Sequence, residues 1–70
     1  MKDELSTAHL IFVSPGGEEL RDFHTTLRGL DLRRAIINSA KSCGAGKVIV
    51  RMDGEVTIYK VEIFVDLKEI

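Results

Sequence analysis

The sequence predicts a small α+β domain: two layers, built β-α-α-β-β, with a three-stranded, mainly antiparallel sheet and both helices on one face. Three observations predict it. Residues 8–13 form a short apolar run of β-formers closed by Ser14-Pro15-Gly16-Gly17. Residues 18–28 and 31–43 place apolar side chains at helical spacing and are separated by Gly29. Residues 47–52 and 55–66 alternate in polarity on either side of Asp53-Gly54, a strong hairpin turn signal.

Each element has its own reason. In residues 8–13, Ala-His-Leu-Ile-Phe-Val, the run is too short for periodicity to show which side faces inward. Leu20, Phe23, His24 and Leu27 recur at the spacing of one helical face, with Glu18 and Glu19 in the first turn, where acids suit the helix dipole. Gly29 is expected to stop that helix. Asp31 is the expected N-cap of the second helix, Leu32, Ala35, Ile36, Ala40 and Cys43 its apolar stripe, and Gly44 its C-terminal stop. The Asp53-Gly54 turn fixes the hairpin register: Met52 opposite Glu55, Arg51 opposite Val56, Val50 opposite Thr57, Ile49 opposite Ile58, Val48 opposite Tyr59 and Lys47 opposite Lys60. The strand at 55–66 outruns its partner, so residues 61–67 need another ladder, and residues 9–13 are the expected donor. The expected strand order is therefore 8–13, 55–66, 47–52, with the long strand central. Leu10, Phe12, Leu20, Phe23, Leu27, Leu32, Ile36, Ala40, Val48, Val50, Tyr59, Val61, Ile63 and Val65 are the expected core.

Seventy residues allow one domain, expected to occupy 1–70 with residues 1–7 flexible. A chain this short buries only about 60% of the surface its unfolded form exposes, so its core is small. One cysteine excludes an internal disulfide framework and a four-cysteine metal cage. No apolar run approaches the ~20 residues of a membrane span, and the acids Asp3 and Glu4 argue against a secretory signal. A cytoplasmic protein with no membrane partner is expected.

Net charge is -1, but it is unevenly spread. Residues 1–24 hold Lys2 and Arg21 against Asp3, Glu4, Glu18, Glu19 and Asp22, a balance of -3. Residues 25–51 hold Arg28, Arg33, Arg34, Lys41, Lys47 and Arg51 against Asp31, a balance of +5. Residues 52–70 hold Lys60 and Lys68 against Asp53, Glu55, Glu62, Asp66 and Glu69, again -3. A basic middle between acidic ends suits self-association or a weakly anionic partner.

No catalytic, cofactor or metal motif stands out. Gly44-Ala45-Gly46-Lys47 lacks the full phosphate-loop pattern and runs helix, loop, strand, the reverse of that motif's context. Ser14-Pro15-Gly16-Gly17 has the right context, but Glu18 and Glu19 repel an anion there. His9, His24 and Cys43 match no short-range ligand spacing. The acids form no recognisable pair. A chain with little room for a dehydrated pocket is expected to be no enzyme and to hold no cofactor.

The strand-helix-helix-strand-strand order resembles the minimal core of KH RNA-binding domains, where a Gly-x-x-Gly loop joins the helices and clamps the nucleotide backbone. Here the joint is Leu27-Arg28-Gly29-Leu30-Asp31-Leu32, with one glycine and an aspartate, so the binding function does not carry over.

The outer sheet face is the informative oddity. Ile49, Ile58 and Phe64 exceed what a solvated face needs. The expected function is a homodimeric structural or protein-interaction module, with Ile49, Ile58 and Phe64 central and Lys60 and Glu62 pairing across the two-fold axis. The alternative is a weak RNA or single-stranded nucleic-acid binder contacting its ligand through Arg28, Arg33, Arg34, Lys41 and Lys47. That reading is less favoured, because the basic excess is modest.

Overall fold

The computed structural model describes residues 7–61 and 67–70. Its elements run β1 (Ala8–Val13), β2 (Glu19–Thr25), α1 (Gly29–Cys43), β3 (Lys47–Met52), β4 (Glu55–Val61) and β5 (Leu67–Glu69). The strands form an antiparallel sheet in the order β2-β1-β3-β4-β5, in which β2 to β4 make the body and β5 is a three-residue edge. This overturns the expected two helices on a three-stranded sheet: among the described residues there is one helix.

The first correction lies at residues 18–28. Ser14-Pro15-Gly16-Gly17 is a hairpin loop, not the entry to a helix. Gly17 takes φ 96°, its N–H donates to the Ser14 carbonyl at 2.9 Å, and the Ser14 N–H donates to the Glu18 carbonyl at 2.7 Å. The Ser14 hydroxyl accepts from the Glu18 N–H at 3.0 Å. The loop returns the chain as β2, paired with β1 from Ala8↔Thr25 to Phe12↔Arg21, then through a bulge to Val13↔Glu19. The helical spacing of Leu20, Phe23 and Leu27 coexists with a period of two, in which Phe23 alternates with Asp22 and His24. Closing the hairpin satisfies the backbone of the whole segment, whereas an isolated helix of three turns is marginal. Phe23 stacks on Phe12 at 5.6 Å, while Leu20 and Leu27, expected in the core, are 40% and 42% exposed.

Gly29 does not end a helix; at φ 60° it turns the chain into α1. Arg28 is the N-cap residue and makes no side-chain cap, so Asp31, the expected cap, sits one turn inside, where it still favours the dipole. Gly44, at φ 76°, ends the helix as expected, its N–H donating to the Ala40 carbonyl at 2.9 Å. With one helix there is no helix–helix joint, and the KH-like order is not formed.

The second correction concerns strand order. β1 lies between β2 and β3, not beside the last strand: Leu10 is opposite Val50 and Phe12 opposite Val48. The excess length at the C-terminal end is resolved differently. β4 is described as far as Val61, and β5 pairs back upon it, Val61↔Leu67 and Tyr59↔Glu69. Residues 62–66 lie outside the described residues, and with them Ile63 and Val65 of the expected core.

β2 and β3 run parallel with β1 between them, so α1 crosses one face of the sheet. It buries Leu32, Ile36 and Ala40 against Ala8, Leu10 and Phe12 of β1, Val48 and Val50 of β3, Ala45 and Leu67. Phe23, Tyr59 and Val61 pack half-buried around that core. The Gly44-Ala45-Gly46-Lys47 segment is a tight connection. Gly46 donates to the Val13 carbonyl at 2.8 Å, and a Cβ at Gly46 would lie 3.2 Å from Pro15. The glycine is needed for that close approach.

Candidate interaction surface

Side chains alternate across a strand, so residues that do not face α1 share the opposite face. Strand register arranges them in three rows, read from β2 to β4. The first row is His24, His9, Arg51 and Val56. The second is Asp22, Ile11, Ile49 and Ile58. The third is Glu19, Val13, Lys47 and Lys60.

No described element covers this face. Ile11, Val13 and Ile49 are half-buried, Ile58 is 38% exposed and Val56 59%. Ile70 donates its N–H to the Ile58 carbonyl at 2.9 Å and extends the middle row toward the sheet edge. The centre of the face is thus apolar, across three adjacent strands. Half-burial by strand neighbours is the usual state of a sheet face with one layer missing.

Charge is segregated around that centre. The acids Glu19 and Asp22 stand on β2; the bases Lys47, Arg51 and Lys60 stand on β3 and β4. Asp22 Oδ1 accepts a hydrogen bond from His9 Nε2 at 2.5 Å. The His24 ring stacks on that of His9, centroids 4.2 Å apart and 11° from parallel. Lys47 and Lys60 are directly opposed, and no described acid pairs with either. Directly opposed like charges are unfavourable in a sheet, so this end of the face calls for an anion.

Of the residues expected at an interface, Ile49, Ile58 and Lys60 do fall together here; Phe64 and Glu62 lie outside the described residues. The expected nucleic-acid contacts do not converge. Arg33, Arg34 and Lys41 are exposed on α1, on the far side of the sheet from Lys47. Arg28 Nη1 donates to the carbonyls of Leu27 at 2.9 Å and Thr26 at 3.4 Å. Cys43, half-buried at the end of α1, lies on the helix side, whereas His9 and His24 meet on the open side. Among the described residues no group of three metal-ligating side chains forms.

The sequence reading missed Glu19, Asp22, His24, His9, Ile11 and Val13 as members of one surface. The alternation of Arg21, Phe23 and Thr25 with Asp22 and His24 carried the information, but the helical spacing over the same window masked it. No family model, curated protein or solved structure matches the chain. Among the described residues no helix is long and apolar enough to cross a membrane.

Proposed function

We propose that the chain is a protein-interaction module that self-associates through the open face of its sheet. The row Ile11, Ile49 and Ile58, apolar across β1, β3 and β4 and covered by no described element, is the observation that carries this. Burying such a row is worth about 25 cal/mol for each Å² of apolar surface removed from water. The occupant is a second copy because the face carries both signs of charge on opposite sides of its apolar centre. A surface of that kind is complementary to itself.

Sedimentation equilibrium over roughly 1–200 μM tests the proposal, since mass action moves a self-associating system from monomer to dimer with concentration. The expected result is a rise from 7.8 kDa toward twice that mass. Ile58→Asn, at a site accessible in the monomer, is expected to hold the protein at 7.8 kDa across the range. A wild-type monomer throughout would end the proposal.

A second reading has one observation in its favour. The directly opposed Lys47 and Lys60 would also be relieved by the phosphates of a single-stranded nucleic acid. It draws on the sheet rather than on the helix. Binding to a mixed-sequence oligonucleotide that weakens steeply with salt, and is lost in Lys60→Glu, is the result it requires.

A further inference from the structure

The charge rows do more than make the open face self-complementary; they select one orientation for the second copy. This inference rests on the self-association proposed above. Two sheets packed face to face keep their strand directions within about 30° of each other in the aligned class. Only two kinds of two-fold axis between such faces preserve alignment. One runs along the strands, and the other runs across them in the plane of the interface.

The axis across the strands leaves each strand over its own symmetry mate and exchanges the outer rows. With the Ile11–Ile49–Ile58 row at its centre, it lays Asp22 over the second copy's Asp22 and Arg51 over the second copy's Lys47. Both juxtapositions set like against like in a closing interface, which is costly.

The axis along the strands keeps each row in place and exchanges the two sides of the sheet. Placed between β1 and β3, it lays β2 of one copy over β4 of the other. Glu19 then meets the other copy's Lys60, Ile11 meets Ile49, and Val13 covers the stem of Lys47, while Ile58 lies over Asp22 and His9 over Arg51. Lys60, which no described acid pairs, gains an acid from the second copy, and Ile11 and Ile49 close on each other at the middle of the apolar row. Packed sheets lie about 10 Å apart, a gap that side chains as long as glutamate and lysine bridge from the two sides.

We propose that the chain forms an isologous dimer about a two-fold axis parallel to its strands, with Glu19 of each copy paired to Lys60 of the other. Within one copy β2 and β4 are three strand spacings apart, about 14 Å at the usual separation, so Glu19 and Lys60 do not reach each other inside a chain. A functional link between them therefore reports on a second copy.

The experiment is charge reversal with rescue, read by sedimentation equilibrium on wild type, Glu19→Lys, Lys60→Glu and the double variant. Both residues are exposed, and far-UV circular dichroism confirms that each variant folds. Each single reversal is expected to raise the dimer dissociation constant about tenfold, because every dimer contains the pair twice. The double variant is expected to return to within about threefold of wild type. A wild-type dimer whose double variant is as weak as, or weaker than, the singles overturns this orientation and leaves self-association standing. A wild-type monomer overturns both.

Discussion

The two faces of one sheet meet different fates in this protein, although both are apolar at their centre. On the helix side, Ala8, Leu10, Phe12, Val48 and Val50 are sealed beneath Leu32, Ile36 and Ala40 of α1. On the other side, Ile11, Ile49 and Ile58 stand on the opposite face of the sheet, and no described element covers them. The difference is supply: among the described residues there is one helix, and it covers one of the two apolar faces.

The comparison breaks most readily on the sealed side. Phe12→Ala empties the largest fully buried side chain and is expected to cost about 3–5 kcal/mol in urea unfolding. A domain of this size holds only about 0.05–0.15 kcal/mol per residue, so this removes most of its stability. Gly46→Ala, which crowds Pro15 where the β1–β2 loop meets the α1–β3 connection, is expected to cost about 1–3 kcal/mol by the same measurement.

A paired truncation sharpens the assignment of β2. Phe23→Ala is expected to cost about 2 kcal/mol, because Phe23 stacks on Phe12, whereas Leu20→Ala at the bulge costs less than about 0.5 kcal/mol. A helix over 18–28 would make the two losses similar. A small effect is expected on the open side as well. Asp22→Asn weakens an exposed hydrogen bond to His9 and is expected to change thermal stability by less than about 1 kcal/mol.

The legible parts of the sequence were those fixed by local chemistry. Asp53 and Gly54 take φ of 54° and 79°, as a type I′ turn demands, and every residue opposition read from that turn is found between β3 and β4. Gly44 and the Leu32–Ile36–Ala40 stripe gave α1 its end and its buried face, though the helix begins two residues earlier than Asp31. Illegible were the features decided by distant partners. Residues 19–25 carry both a helical and a strand period, and only the ladder offered by β1 chooses between them. The same ladder places β1 beside β3. The apolar pair Ile49 and Ile58 was readable as one surface because both belong to the hairpin. Ile11, Asp22 and Glu19 join it through β1 and β2, which local pattern did not bring together.

The most direct test of the open face is an isotope-filtered NOE experiment on an equal mixture of labelled and unlabelled chains. Only contacts between copies give a signal. Cross-peaks joining the Ile11 methyls of one copy to the Ile49 methyls of the other are expected, with Ile58 close by. Intermolecular signals confined to Leu27, Leu30 and the exposed side of α1, or none at concentrations where the mass has doubled, would contradict a dimer built on the sheet.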